Sequence, residues 1–153
     1  MLIALAVAAT GCRGRDEAAS PSETPLDHSK KSPSSSPALP FVSISFDEAL
    51  AKARTENKLV FVDLYADWCT WCTKMDEDVF AVPRVQDALL AFVPIKVDVE
   101  KAGGRRIATR YRVEGLPAYL LLNADGEVVG RFDGYLPVEG FLLRLRAASG
   151  GRG

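Results

Sequence analysis

The amino-acid sequence predicts an α/β fold in which helices cover a central mixed β-sheet. Three apolar runs rich in Val, Leu, Ile and Phe, at residues 58–66, 93–100 and 115–123, are separated by stretches with helical patterning. Strand-like runs that alternate with helices are typical of α/β domains. The turn sequence NADG at 123–126 precedes another strand-like stretch and predicts a β-hairpin. The predicted order is β-α-β-α-β-α-β-β-α.

The first half of this order rests on three local signals. Residues 41–45 (FVSIS) favour a short strand. Ser45 and Glu48 have the spacing of a capping box, which predicts a helix that runs to about Asn57. The run KLVFVDLYA at 58–66 is almost continuously apolar, and this indicates a central strand buried on both faces.

The second half continues the alternation beyond Cys69 and Cys72. Proline at a helix start and residues with helical spacing provide the signals. The remaining elements are a helix to about Phe80, a helix from Pro83, a strand at 93–100, a helix at 103–113, a strand within 115–123, its hairpin partner and a last amphipathic helix from Pro137.

Composition and charge narrow the classes of function. The chain has 153 residues and a formal net charge of −1, and its basic residues are not expected to gather on one segment. Nucleic-acid binding therefore has no electrostatic support. The single histidine, His28, lies in a low-complexity stretch. This argues against a Cys/His metal site and against a Cys-His catalytic dyad in the folded part.

The first 40 residues predict export and anchoring on the periplasmic side of a bacterial cell envelope. Residues 1–11 hold an apolar run that is too short to span a bilayer and is typical of a signal peptide. The small residues before Cys12 resemble a bacterial lipobox, whose cysteine carries lipid; a plain cleaved signal peptide is the alternative. Residues 12–40 are rich in Ser and Pro and predict a disordered tether with a reach of roughly 30 Å. Residues 41–149 then form one domain.

The Cys69–Cys72 pair lies where a predicted strand gives way to a helix. Residues three apart share a helix face, so the two sulfurs can bond to each other. The helix N-terminus favours a thiolate at Cys69, which we expect to be the exposed nucleophile, with Cys72 as the shielded resolving thiol. A metal site needs four ligands, and one pair supplies two. A structural disulfide is an open alternative to the favoured redox pair.

The segments VFVDLYADWCTWC at 60–72 and VEGLPAYLLLNADGEVVGRFDGY at 113–135 resemble the thioredoxin family. The nearest likeness is to the C-terminal thioredoxin-like domain of the thiol:disulfide interchange protein DsbD and to small exported thioredoxin-like lipoproteins. It covers residues 41–149. The resemblance implies a thioredoxin fold, a redox-active disulfide and no other cofactor.

The resemblance also implies roles for single residues. Cys69 matches the family's attacking cysteine and Cys72 the resolving one. Asp63 matches a buried acid beneath the active site, although an acid turned to solvent at the strand end is the alternative. Pro117 matches the family's cis-proline, and the backbone at Leu116 would pair with an extended substrate segment.

Four further residues are candidates for the site. Asp76 and Lys96 match positions near the buried acid and form a candidate proton relay. An exposed helix acid and a solvated strand lysine are the alternatives for these two. Trp68 is expected to be partly packed at the rim, and Trp71 is expected to be exposed and to contact partners.

The sequence therefore predicts an exported, membrane-tethered thiol:disulfide oxidoreductase that acts mainly as a disulfide reductase. Oxidised exported proteins are the expected substrates, and a membrane thiol reductase is the expected electron donor. The protein is expected to be a monomer that touches the membrane only through its lipid. A thiol oxidase or isomerase on the same fold, and a non-catalytic binding module, are the alternatives.

Overall fold

The computed structural model describes residues 39–151. This range contains five α-helices, four β-strands and one π-helical turn. In chain order they are α1 (Phe46–Glu56), β1 (Val60–Tyr65), α2 (Thr70–Met75), the π-helical turn (Asp76–Phe80), α3 (Pro83–Leu89), β2 (Val93–Asp98), α4 (Ala102–Arg110), β3 (Ala118–Leu122), β4 (Val128–Asp133) and α5 (Val138–Ala148). Within 39–151, the helices are too short or too polar to cross a membrane.

The strands form one mixed sheet in the order β2-β1-β3-β4. β1 runs parallel to β2 and antiparallel to β3, and β4 runs antiparallel to β3. The prediction that 58–66 holds a central strand is confirmed, since β1 lies inside the sheet and Val60 to Leu64 are all buried. The predicted α/β class is confirmed as well.

The helices bury the two faces of the sheet in separate clusters. On one face α2, α3 and α5 cover an aromatic cluster, in which the rings of Phe61, Phe80, Tyr119 and Phe141 lie with centroids 5.3–6.4 Å apart. On the other face α1 and α4 cover the aliphatic side chains of the sheet. Burial of each large side chain contributes about 1.5–3 kcal/mol.

The strand expected at residues 41–45 is wrong. The segment contributes one backbone hydrogen bond to the sheet, from the Val42 N–H to the Pro94 carbonyl oxygen at 2.9 Å. Pro94 lies on the edge strand β2 and has no N–H, so it cannot return a ladder bond. The segment is held instead by side-chain packing, because Phe41 joins the aromatic cluster and Ile44 the aliphatic one.

The expected ends of several elements are confirmed. Ser45 Oγ accepts the Glu48 N–H at 3.2 Å, and Glu48 Oε2 accepts the Ser45 N–H at 2.8 Å, which completes the capping box. α1 ends at Glu56, and its C-cap residue, Asn57, adopts a left-handed conformation. The turn at 123–126 joins β3 to β4, and Pro137 precedes α5.

The helix after the cysteines differs from the regular helix that the sequence predicts. It continues to Phe80, but its last turn is π-helical, and the Ala81 N–H donates to the Asp76 carbonyl at 3.1 Å. π-helical turns widen a helix by one residue per turn and occur often at functional sites. The widened turn begins at Asp76, one of the candidate site residues.

The close approach of α4 to β2 can be tested at two adjacent glycines. A Cβ at Gly104 would lie 1.9 Å from the Asp98 carbonyl oxygen, whereas a Cβ at Gly103 would meet nothing within 4 Å. Gly104→Ala should therefore lower the free energy of unfolding by about 1–3 kcal/mol through overpacking. Gly103→Ala, the matched control, should leave it level or raise it by up to about 1 kcal/mol. Urea unfolding measures both, and equal effects would contradict this packing.

Candidate functional site

Cys69 and Cys72 form a disulfide at the N-terminus of α2, with a Cα–Cα distance of 5.2 Å. Cys69 is the N-cap residue, and its Sγ accepts the Cys72 N–H at 3.1 Å. After reduction, the same N–H and the partial positive charge of the helix start would stabilise a Cys69 thiolate. Cys72 lies inside the first turn, where no such free donor is directed at its sulfur in the described residues.

The expected difference in exposure between the two cysteines is wrong. Cys69 is 5% exposed and Cys72 is 4% exposed. Tyr65, Val99 and Leu116 pack against the cluster that contains both cysteines, so the oxidised pair lies just below the surface. The position of each cysteine in the helix, rather than its exposure, distinguishes the two.

The rim around the disulfide is aromatic. Trp68 is 68% exposed, more than the partly packed residue expected, and Trp71 is 54% exposed. The Trp71 ring lies 5.4 Å from the ring of Tyr135, whose hydroxyl donates to Asp78 Oδ2 at 3.3 Å. Sequence reasoning missed Tyr135, because it lies beyond β4 and only the fold brings it to the cysteines.

The loop before β3 lies beside the disulfide. The Leu116–Pro117 peptide bond is cis. The Pro117 carbonyl accepts the Gly134 N–H at 2.8 Å, which ties this loop to the end of β4. Leu116 contacts the cysteine cluster and is only partly buried, so its backbone lies at the edge of the site.

Asp63 lies in the middle of β1 and is 2% exposed, so the alternative of a solvent-facing acid does not hold. Burial is the main reason that its pKa is raised to about 7. The ammonium of Lys96 lowers the pKa in part, and the negative charge of Asp76 raises it. Lys96 Nζ lies 3.4 Å from Asp63 Oδ2. Asp63 Oδ1 has no hydrogen-bond partner among the described residues.

Lys96 joins Asp63 to Asp76. It is the register partner of Asp63 on β2, and its Nζ lies 2.5 and 2.7 Å from the two carboxylate oxygens of Asp76. The side chain of Lys96 is 17% exposed and that of Asp76 is 28% exposed. The alternative predictions of a solvated strand lysine and an exposed helix acid are therefore wrong. The ammonium also lies 4.7 Å from the centroid of the Tyr65 ring. One cation therefore serves two carboxylates, one on β1 and one on the π-helical turn that continues α2.

Tyr119 is a site residue that sequence reasoning missed. It is the register partner of Asp63 on β3 and is fully buried, and its hydroxyl has no partner among the described residues. Burial raises its pKa well above the ordinary value, and the charges of Asp63 and Asp76 raise it further. In the sequence it is one apolar-looking residue in an apolar run.

Taken together, the geometry suits thiol–disulfide exchange. A cysteine at a helix start can act as a thiolate, and a second cysteine three residues on can resolve a mixed disulfide. A buried carboxyl that titrates near neutral pH can take a proton at working pH. Fold and site together define a thioredoxin-fold thiol:disulfide oxidoreductase.

The chain belongs to the thioredoxin-like family. A family profile described as a thioredoxin-like domain matches residues 46–149. The chain is 36% identical over 105 residues to thiol:disulfide interchange protein DsbD 2 of Pseudomonas aeruginosa, and 38% identical over 104 residues to DsbD of Klebsiella pneumoniae. These matches cover 66% and 65% of this chain but only 18% and 17% of those proteins.

Solved structures agree with this assignment. A thioredoxin from Thermus thermophilus is 36% identical with a TM-score of 0.61, and covers 67% of this chain and 82% of that one. A putative disulphide-isomerase from Bacteroides thetaiotaomicron is 34% identical with a TM-score of 0.68, and covers 77% and 98%. The reduced C-terminal domain of Neisseria meningitidis DsbD is 26% identical with a TM-score of 0.56, and covers 66% and 91%. The thioredoxin fold is therefore confirmed.

The burial of Asp63 predicts a pH-dependent stability. Its ordinary pKa is 3.8 and its folded pKa is about 7. Between these values the folded state binds a proton that the unfolded state does not, so stability falls as pH rises from about 4 to about 7. Asp63→Asn is neutral at every pH. Its free energy of unfolding should therefore match that of the wild type near pH 4 and exceed it by on the order of 2–4 kcal/mol at pH 8.

Urea unfolding of the oxidised protein across this pH range measures the effect. Asp87→Asn, a substitution at an exposed acid, is the control, and its free energy of unfolding should change with pH as that of the wild type does. If the free energy of unfolding changed with pH in the same way for the wild type and Asp63→Asn, Asp63 would not titrate in this range.

Proposed function

We propose that this chain is an exported, membrane-tethered thiol:disulfide oxidoreductase that works mainly as a disulfide reductase. The observation that carries the proposal is the Cys69–Cys72 disulfide at a helix N-terminus, in the same domain as the buried carboxyl of Asp63. Similarity to thiol:disulfide interchange proteins supports it.

The reaction begins with both cysteines reduced. The Cys69 thiolate attacks a substrate disulfide and forms a mixed disulfide, while the displaced substrate sulfur leaves as a thiolate and takes up a proton. Cys72 then loses its proton and attacks the Cys69 sulfur of the mixed disulfide. This releases the second substrate sulfur and leaves the Cys69–Cys72 disulfide, so two electrons pass from the pair to the substrate.

Asp63 is the proposed acceptor of the Cys72 proton. Its pKa of about 7 leaves it able both to take and to release a proton near neutral pH. Lys96 and Asp76 complete the proposed relay, because the Lys96 ammonium lies 3.4 Å from Asp63 Oδ2 and binds both carboxylate oxygens of Asp76. A Cys72 thiolate would raise the pKa of Asp63 further, so the two groups would titrate together.

The surface around the disulfide suits an extended protein segment. The edge backbone at Leu116 can pair with such a segment as with an added strand. Trp68 and Trp71, which directly precede the two cysteines in the chain, offer exposed aromatic area. We propose oxidised exported proteins as the substrates.

The source of electrons and the location follow from the proposed plan of the chain. A membrane thiol reductase would reduce the Cys69–Cys72 pair again, and the disulfide is the only redox group proposed. Residues 1–11 would be the signal, 12–40 the tether and 41–149 the domain, with lipid on Cys12 at the periplasmic side of the envelope. Cys12 lies outside the described residues. The protein would act as a monomer and bind no nucleic acid.

Isomerase activity is the second candidate function. The dipeptide between the cysteines is Thr70-Trp71, where thioredoxin itself has Gly-Pro, and this dipeptide helps set the potential of the pair. The similarity to a putative disulphide-isomerase is the observation that favours this candidate.

The roles of the two cysteines can be tested by trapping. Cys72→Ala lacks the resolving thiol, so it should accumulate mixed disulfides between Cys69 and its substrates in the cell envelope. Cys69→Ser should abolish disulfide reduction and should trap nothing. Non-reducing gels followed by mass spectrometry would identify the trapped proteins, with the double variant Cys69→Ser/Cys72→Ala as the control. Trapping through Cys72 in Cys69→Ser would reverse the assignment.

The proposed anchor makes a separate prediction. Wild type should sediment with membranes, whereas Cys12→Ser should move to the soluble fraction because it lacks the lipid. Reductase activity on a soluble model disulfide should be unchanged, since Cys12 precedes the domain. A wild-type protein that is fully soluble after export would contradict the lipoprotein proposal.

A further inference from the structure

The outer face of α4, together with the residues that flank the helix, is strongly basic. Five cationic residues fall between positions 101 and 112, and no carboxylate occurs between 101 and 113. All five are exposed: Lys101, Arg105, Arg106, Arg110 and Arg112. The expectation that basic residues are not gathered on one segment is therefore wrong, and the electrostatic argument against nucleic-acid binding is removed with it. A chain with a formal net charge of −1 holds a concentrated positive surface, here called the basic face.

Most of these charges are not neutralised within the protein. Lys101 pairs with Asp98, with Nζ–Oδ2 at 3.3 Å. The four arginines of the basic face have no carboxylate within 4.0 Å among residues 39–151, whereas cations elsewhere, such as Arg54 with Asp125, are commonly paired. Arg105 donates to the Glu100 carbonyl at 3.1 Å and Arg110 lies over the Tyr111 ring, but neither contact neutralises the charge, so the guanidinium groups can bind an external anionic surface.

The core fixes the direction of the basic face. The other side of α4 packs on the sheet through four residues, so α4 cannot rotate about its axis without losing this packing. These residues are Gly104, Ile107, Ala108 and Tyr111. The opposite face of the sheet carries the π-helical turn, which begins with three consecutive acids at 76–78. The basic face and this acidic turn therefore lie on opposite faces of the sheet, and two of the three acids are already paired, Asp76 with Lys96 and Asp78 with Lys74.

We propose that the basic face of α4 docks on an anionic lipid surface and orients the domain on the membrane. The proposal rests on the proposed lipid anchor at Cys12, because the proposed tether, with a reach of roughly 30 Å, would keep the domain close to lipid headgroups. A lipid chain and a polybasic patch are the kind of paired signals that give stable membrane binding. An anionic surface attracts the basic face, so an orientation with α4 toward the lipid is favoured.

This orientation also places the redox pair. β2 leads directly into α4, and Val99, just after β2, packs against the cluster that contains Cys69 and Cys72. The N-terminal end of α4 therefore lies at the same end of the sheet as the disulfide. A domain lying on α4 would hold the disulfide near the membrane surface, where a membrane thiol reductase could reach it.

The experiment uses full-length Cys12→Ser, so that vesicle binding reports the protein surface without the lipid. Vesicles of phosphatidylglycerol mixed with phosphatidylcholine are compared with vesicles of phosphatidylcholine alone, at low and high salt. Arg106→Gln/Arg110→Gln removes two charges from the basic face. Arg144→Gln/Arg146→Gln removes two exposed charges from α5, which also lack a carboxylate partner among the described residues, and is the matched control.

We expect binding to the anionic vesicles that high salt abolishes. The α4 variant should lose about tenfold or more in affinity, and the α5 control about twofold or less. Absence of binding to anionic vesicles at low salt, or equal loss in both variants, would overturn the proposal. Binding to poly-glutamate but not to vesicles would overturn it in favour of an acidic protein partner.

Two further measurements separate this proposal from the proposed function. Both variants should reduce a soluble model disulfide at the wild-type rate, because neither touches the site. Loss of activity in the parent Cys12→Ser protein would count against the proposed function, whereas its vesicle binding tests the basic face independently. If wild type is soluble in cells but Cys12→Ser binds anionic vesicles, the anchor fails and the basic face stands.

Discussion

The charge of Asp63 is the constraint around which the site is arranged. A carboxyl inside a central strand loses its hydration, and this cost raises its pKa to about 7. Lys96, brought alongside by the parallel pairing of β1 and β2, offsets part of the cost. Asp76 then competes for the same ammonium. Near neutral pH the buried Asp63 carboxyl can therefore both take up and release a proton. An acid at the surface, with its ordinary pKa, could not do this.

The helix start supplies the complementary half of the chemistry. At Cys69 the backbone N–H of Cys72 is directed at sulfur, which favours a thiolate there. Cys72 is almost equally buried, and no backbone N–H of residues 39–151 is directed at its sulfur, so in the proposed function its ionisation depends on a base. Local electrostatics therefore differ between two cysteines that lie three residues apart, and they favour Cys69 for attack and Cys72 for resolution. In the proposed function this separation lets one residue begin the reaction and the other complete it.

Sequence predicted the local features of this structure well and the long-range ones unevenly. The capping box at Ser45 and the central strand follow from short-range patterns. The strand at 41–45 failed because its partner is Pro94, which cannot return a ladder bond. Tyr119 and the Trp71–Tyr135 contact depend on strand register and loop position, which no local pattern encodes. Resemblance to a known family, rather than periodicity, pointed to Asp63.

The central claim is that the Cys69–Cys72 pair donates electrons, and its reduction potential tests this most directly. The measurement equilibrates the protein with a glutathione or dithiol buffer of known poise at pH 7 and quantifies the free thiols. A reductase should have a potential near that of thioredoxin, about −270 mV. A potential near that of DsbA, about −120 mV, would show that the pair withdraws electrons from its partners and would contradict the account.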